Sequence, residues 1–586
     1  MCGILGIRRS FLDDEASFRS AIAAMAWRGP DGIEQVDAGD WRLAVARLAI
    51  SDPHHGQPLW SRDGRRVIAF NGVVTSADRE RRQFEDLLAT DNDAELPLQR
   101  LASGGPSAIL RTSGHYALAI VEPAGDRLWL ARDPEGEKPL YVLRQADRVV
   151  AFASSLASLR CLGVEIEFDQ PGRARFFRFG FGLQPTLKDP RLSLDSDFRG
   201  LCYQAEGAVS QHLDIPPPER PLPLPEALGT ATRRCAAAEV PVGLCLSGGV
   251  DSACLAAVLA QAEHVVPAYQ FWALGTPKTE RARAEQIAQH TGMPLHCVDG
   301  GPEVLQYLPT LTRMVGMPLG DPSVLAVHAL ARQAHRDGVR VLLSGEGADE
   351  LFLGYRRHRV ARRLPRRGPL QNPFGWPNSG VSMSTPMRVL RSLADPQPYD
   401  ALLEVAPPGF RRAVLTADYV DGRLPTGPTG SSLERARHTD RTSYLRGDLL
   451  PKLDTALMAA GIEGRCPYLD PAVVNCDVAR AKDARSILGK HHLREAFRDA
   501  LPAGVLDHRK TGFGLPLDAW LRDDDYLPDL LLDRRTLERS HLRPAGLRKM
   551  LDAHRAGRHQ LGHALYLVAA MEFYLRDLEV AAEVHA

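Results

Sequence analysis

The sequence carries no net charge: across 586 residues, Lys plus Arg and Asp plus Glu each number 72. That balance argues against a general nucleic-acid or membrane-surface binder, although a local basic patch remains open. No apolar run is long enough to cross a bilayer. The N-terminus has no charged segment followed by a long apolar core, so a cytoplasmic location is expected. The nine cysteines form no Cys-x-x-Cys pair and no metal-ligand spacing. An odd count without a framework fits a reducing compartment, with most cysteines, such as Cys245 and Cys254, serving as small core residues. No internal repeat is visible. No Gly-Lys-Ser/Thr follows any glycine-rich turn, which excludes a Walker loop. The length itself excludes a single core, so two or more domains are expected.

What is present centres on Val242-Gly-Leu-Cys-Leu-Ser-Gly-Gly-Val-Asp-Ser252. An apolar run bounded by a Ser-Gly-Gly turn predicts a buried strand, and Ala253–Ala262 predicts a helix. Gly248 and Gly249 free the backbone between them, so consecutive amides and a helix N-terminus can face one anion. Ser247 and Ser252 add hydroxyl donors, and Asp251 adds a carboxylate able to hold Mg2+ beside a polyphosphate. A bare Ser-Gly-Gly would mark an ordinary α/β corner. The full Ser-Gly-Gly-Val-Asp-Ser string resembles the pyrophosphate loop of enzymes that cleave ATP to AMP and pyrophosphate.

Apolar runs alternate with helical stretches after this loop, at Val265–Leu274, Glu280–Thr291, Pro294–Val298, Val324–Asp337 and Val339–Leu343. That alternation predicts a parallel sheet with ligands at the strands' carboxyl ends. The last run enters a second turn, Ser344-Gly-Glu-Gly-Ala-Asp-Glu350, which can face the same crevice. There Asp349 can join Asp251 in holding Mg2+, and Glu346 sits where a base or substrate-ordering carboxylate is needed. Farther on, Asp454…Met458…Gly461-Ile-Glu-Gly-Arg-Cys-Pro-Tyr-Leu-Asp470 combines buried-looking acids with an arginine. Lys490-His-His-Leu-Arg494 reads by itself as an exposed basic helix. Arg509-Lys510-Thr-Gly-Phe-Gly514 puts a cation on a glycine-flanked loop. The proline density of Ile215–Pro225 marks an extended connector, with a domain boundary between about 195 and 220. Arg362–Pro377 reads as a surface excursion, and Ala564–Val580 as a packing helix.

The chain opens Met1-Cys2-Gly3, which invites removal of Met1 and leaves Cys2 with a thiol and an α-amine. The amine can act as a local base for the thiol, the logic of an N-terminal nucleophile. Trp27-Arg-Gly-Pro-Asp31, Ala46-Arg47-Leu48, Gln57-Pro58-Leu59, Phe70-Asn71-Gly72 and Ala131-Arg-Asp133…Lys138-Pro-Leu-Tyr141 follow in order. Together with Cys2 they resemble the glutaminase domain of class II glutamine amidotransferases, most closely that of asparagine synthetases. The later motifs, in their order, resemble the synthetase domain of the same family.

The resemblance implies an N-terminal-nucleophile αββα sandwich over 2–200 and a parallel-sheet α/β ATP-pyrophosphatase-like domain with a helical C-terminal part over 215–586. It implies Cys2 as nucleophile, with Asn71 and Gly72 as the oxyanion hole. Arg47 would bind the glutamine α-carboxylate, and Asp93 its α-amine. ATP and Mg2+ would be held by Leu246, Ser247, Gly248, Gly249, Asp251, Ser252, Ser344, Gly345 and Lys490, with Asp251 and Asp349 on the metal. Lys510 would stabilise the departing pyrophosphate, and Glu346 would take the proton lost as ammonia attacks. The implied partners are glutamine, ATP and a carboxylic acid, aspartate by default, with neither nucleic acid nor membrane; related enzymes are often homodimers.

The chain departs from the family pattern at Val73 (usually Glu), Trp27 and Val45 (usually His) and Ser155 (usually Glu). Those departures leave room for an amidotransferase acting on another acid, or for ring-closing relatives of the β-lactam synthetase or lasso-cyclase type. Retention of Cys2, Arg47, Asn71 and Gly72 favours real ammonia supply over ring closure. Retention of Cys2, Asp251 and Lys510 favours a catalyst over a non-catalytic binding module with the same two-domain shell.

Overall fold

The computed structural model describes residues 2–585 except 206–207, 214–220, 277, 365–384, 426, 428–429, 482, 503 and 507–513. Lys510, most of the proline-rich connector and most of Arg362–Pro377 therefore lie outside the described residues.

Two six-stranded antiparallel sheets build the first half. In one, the N-terminal strand Cys2–Arg8 lies between Arg148–Ala153 and Trp41–Arg47. In the other, Val67–Val74 lies between Leu59–Trp60 and Gly114–Glu122. Side chains alternate across each strand. Ile4, Leu43, Val45, Val67 and Ala69 fill the space between the sheets. Leu5, Ala44 and Ala46 face helices Glu15–Met25 and Leu156–Cys161 on one outer side, and Ile68, Phe70 and Leu118 face Glu95–Gly104 on the other. Both faces of each sheet are covered, and the result is the expected αββα sandwich. The second sheet continues through Gly200–Ala205 and Ala208–Leu213.

The second half carries a five-stranded parallel sheet in the order Leu295–Gly300, Ala268–Ala273, Val242–Cys245, Val341–Leu343, Glu463–Arg465. Helices cover both faces. Leu244, Val341 and Leu343 pack toward Leu224–Ala236 and Val250–Gln261, whereas Tyr269, Phe271 and Leu342 pack toward Ser323–Arg336. The remaining chain is mainly helical and ends in Gly562–His585. Val242–Cys245 and Val341–Leu343 are adjacent, so the turns after them share the carboxyl end of the sheet, as expected of two turns that each follow a strand.

Candidate active sites

The N-terminal site forms where the two antiparallel sheets meet. Cys2, 4% exposed, stands opposite Arg47 in the strand register, and its main-chain nitrogen donates to Asn71 Oδ1 at 3.0 Å. Asn71 is fully buried, and its Nδ2 has no hydrogen-bond partner among the described residues. An orphaned buried donor is costly unless a ligand completes it. It is what an oxyanion beside Cys2 would require. Gly72 follows with φ +147°, and a Cβ there would fall 2.1 Å from the His115 carbonyl oxygen, so only glycine fits.

Arg47 Nη2 donates to the Ser51 carbonyl at 3.0 Å and to that of Asp52. Asp93, in the turn ahead of helix Glu95–Gly104, is buried against the end of strand Val67–Val74, accepting from Val74 N and Arg81 Nη2, each at 3.1 Å. Burial raises its pKa above the ordinary carboxylate value in spite of Arg81. Cys2, Arg47, Asn71, Gly72 and Asp93 are thus linked through pairing and hydrogen bonds within one site.

The departures have structural roles. Val45 is core, Trp27 packs beside Arg28, and Ser155 caps the helix Leu156–Cys161 by accepting from Ser158 N.

The second site lies at the carboxyl end of the parallel sheet. Ser247 N donates to Ser252 Oγ at 3.2 Å, which closes the turn onto helix Val250–Gln261. Gly248 has φ +74°, and a Cβ there would meet the Glu280 carbonyl at 2.5 Å. A Cβ on Gly345 would press on Asp251 at 3.0 Å, so the two glycine-rich turns touch. A cavity of about 680 Å3 opens above them, lined in part by Leu246, Ser344, Glu346, Asp349, Lys452 and Lys490.

Lys490 is the main surprise of this site. By itself the local sequence reads as an exposed basic helix, although the resemblance assigns Lys490 to ATP, and its side chain is 5% exposed. The residue adopts φ +59° ahead of helix His491–Ala496, a turn that directs the ammonium inward. Nζ lies 2.6 and 2.7 Å from the Asp251 carboxylate oxygens and 2.6 Å from Asp349 Oδ1. A Cβ on Gly354 would come within 2.1 Å of Lys490 Cε, so the glycine admits the cluster. Two converging carboxylates beside a phosphate cradle are a donor set that suits Mg2+, which commonly takes one or two carboxylates plus phosphate oxygens.

Lys452 was missed from sequence. Its ammonium lies 2.9 Å from Glu346 and 3.4 Å from Asp321. Burial works to lower its pKa, but Glu346 and Asp321 outweigh burial and raise it well above the ordinary lysine value. No local signal marks a lysine inside Leu450–Met458, a helix whose residues 452–458 are all buried.

The two sites are joined by buried contacts. Arg28 binds Asp454 through two hydrogen bonds, and its Nε donates to the Cys2 carbonyl at 3.2 Å. The π-helical segment Asp440–Leu449 presents Tyr444 and Asp448 to the cavity of the second half, while its Arg441 and Arg446 hold Glu135 of the first half. Among the described residues no helix is long and apolar enough to cross a membrane.

Comparison with known proteins covers both halves. A family model described as asparagine synthase matches residues 224–576, and one described as a glutamine amidotransferase domain matches residues 1–189. A Mycobacterium tuberculosis (strain ATCC 25618 / H37Rv) protein named "Putative asparagine synthetase [glutamine-hydrolyzing]" is 29% identical, covering 95% of this chain and 94% of the relative. "Asparagine synthetase [glutamine-hydrolyzing] 1" of Bacillus subtilis (strain 168) is 26% identical, covering 89% and 88%. The Asparagus officinalis asparagine synthetase is 27% identical, with 61% and 60% coverage.

Proposed function

Because the chain belongs to the asparagine synthase family and carries a glutamine amidotransferase domain ahead of it, we propose that it is an AMP-forming, glutamine-dependent ligase that amidates a carboxylic acid, aspartate by default. The observation that carries the ammonia half is the Asn71 Nδ2 donor, buried and unpartnered beside Cys2. The Cys2 thiolate would attack the glutamine amide, with Asn71 Nδ2 and Gly72 N–H receiving the oxyanion. Arg47 would turn toward the substrate α-carboxylate, and Asp93 would face its α-amine.

In the second half the phosphate loop would seat ATP. Asp251 and Asp349 would hold Mg2+ on its phosphates, and the metal would supply charge neutralisation there. Lys490 lies at this locus and would then pair with phosphate; Lys510, outside the described residues, keeps the leaving-group role that the resemblance implies. The acceptor carboxylate becomes a competent acyl donor once adenylated. Glu346, paired with Lys452, would take the proton lost as ammonia displaces AMP. The Cys2–Asn71 arrangement favours ammonia as nucleophile over an internal amine.

Product analysis with Mg-ATP, glutamine and L-aspartate tests this reading, run beside Cys2→Ala with and without ammonium. Asparagine, AMP and pyrophosphate from wild type, with the variant rescued by ammonium alone, are expected. Glutamate without asparagine would reassign the acceptor. Absence of glutamate, AMP and asparagine would overturn the reading.

A further inference from the structure

His115 is a buried histidine that no step above uses. It lies on strand Gly114–Glu122 directly opposite Val73, the residue after Gly72. Its carbonyl oxygen is the atom against which Gly72 packs, so close that no Cβ fits between them. A shift of His115 must therefore shift the Gly72 N–H.

The His115 ring faces the other half of the protein. Nε2 meets the Cys235 thiol at 3.6 Å, and Nδ1 lies 2.8 Å from Glu137 Oε2. Glu137 Oε1 in turn accepts from Lys138 Nζ at 2.8 Å, and Lys138 donates at 2.8 Å to the Gly464 carbonyl. His115, Glu137, Lys138 and Cys235 are 1%, 4%, 1% and 0% exposed. Burial disfavours charge on the His115 imidazole, but Glu137 outweighs it and raises the pKa well above the ordinary value. Buried charges hold together only while every partner stays in place.

Both far ends of this chain of groups sit on the ligase machinery. Cys235 lies in the last turn of helix Leu224–Ala236, five residues of connection ahead of the strand that delivers the phosphate loop. Gly464 lies on the strand paired with Val341–Leu343, which delivers Ser344–Glu346. Arg465 ties the two ends together, donating to the Cys235 and Ala237 carbonyls at 2.9 and 2.8 Å and accepting Ser344 N at 2.9 Å through its own carbonyl.

We infer that His115 is a positioning residue through which occupancy of the ATP site sets the geometry of the Gly72 oxyanion hole. The inference rests on the amidotransferase reading but needs no knowledge of the acceptor. Nucleotide binding moves the phosphate loop and the acid turn, Cys235 and Gly464 move with them, and the His115–Glu137 pair passes the shift to Gly72. Glutamine is thereby hydrolysed faster when ATP is in place to use the ammonia.

The test measures glutamate release from glutamine by the full-length protein, with and without Mg-ATP and with no acceptor added. Wild type should be stimulated at least about fivefold, the low end of ordinary coupling between sites. Cys235→Ala, a change in the ligase half, should keep the unstimulated rate but lose the stimulation. Cys235→Ser, which can still hydrogen-bond the imidazole, should retain it, and His115→Leu should lose it. Stimulation equal to wild type in both Cys235→Ala and His115→Leu would overturn the inference, as would a wild type indifferent to Mg-ATP. In either case the amidotransferase reading would stand, because glutamate would still be released. A wild type that releases no glutamate under any condition would remove that reading, and this inference with it.

Discussion

Arg28 and Asp454 are 426 residues apart in sequence and meet through two hydrogen bonds of 2.7 and 3.1 Å, with side chains 2% and 7% exposed. The same guanidinium donates to the Cys2 carbonyl. The backbone of the proposed nucleophile is therefore braced by a carboxylate of the ligase half. Removing one member of such a buried pair leaves an uncompensated charge, at a cost of about 3–5 kcal/mol.

Asp454→Ala should accordingly lower the unfolding midpoint and also slow glutamate release. A displaced Cys2 loses its near-attack geometry, for which a loss of about 10- to 100-fold is reasonable. Calorimetry and a glutamate assay on one preparation check both effects. A destabilised variant with an undiminished glutaminase rate would show that Arg28 braces the interface and not Cys2.

Asn71→Ala should leave Cys2 alkylation by a glutamine-like electrophile detectable, while kcat for glutamine hydrolysis falls about 10²- to 10³-fold, the usual loss of one oxyanion donor. KM should change little, because the donor acts on charge that develops after binding. A variant that changes KM alone would place Asn71 in ground-state binding.

Local signals were the legible ones. The two glycine-rich turns at Ser247–Ser252 and Ser344–Glu350 could be read, because each follows directly from a short strand, whereas Cys2 and Arg47 were singled out by the family resemblance and their pairing comes from the fold. What escaped depends on distant partners. Lys452 lies inside a buried helix and acquires meaning from Glu346, 106 residues earlier. Lys490 was assigned to ATP by the resemblance alone, because its local sequence reads as a solvated basic helix and shows neither its positive φ nor the space left by Gly354. Ser155 read as the loss of an acid, whereas the fold uses it as a helix cap.

Lys490 bears on metal affinity. It bridges Asp251 and Asp349 where the proposed Mg2+ would bind, so ammonium and metal would share two carboxylates. In Lys490→Met those carboxylates repel one another unless a cation arrives. The variant should be less stable than wild type without Mg2+, and Mg2+ should raise its melting temperature more than it raises that of wild type. ATP–pyrophosphate exchange should nonetheless fall, by about 10²-fold or more for a lost phosphate-facing charge. Equal Mg2+ shifts in the two proteins would separate Lys490 from the metal locus.

Asp400 supplies a pH test on a residue that neither proposed reaction uses. Burial is the main cause that raises its pKa from 3.8 to about 7; Arg178 opposes the rise, and Asp395 and Glu404 add to it. Because the folded value lies above the unfolded one, the folded state holds this proton more tightly. The contribution to stability is full below about pH 4 and is lost as pH rises toward about 7. Above that, the protein carries a buried carboxylate that accepts a hydrogen bond from Leu424 N at 3.3 Å. Asp400→Asn keeps the shape and removes the charge. Its advantage in melting temperature over wild type should be small near pH 4, grow through pH 5 and 6, and level off above about pH 7. An advantage that is constant across this range would mean that Asp400 is already ionised at low pH, and that Arg178 rather than burial governs its charge.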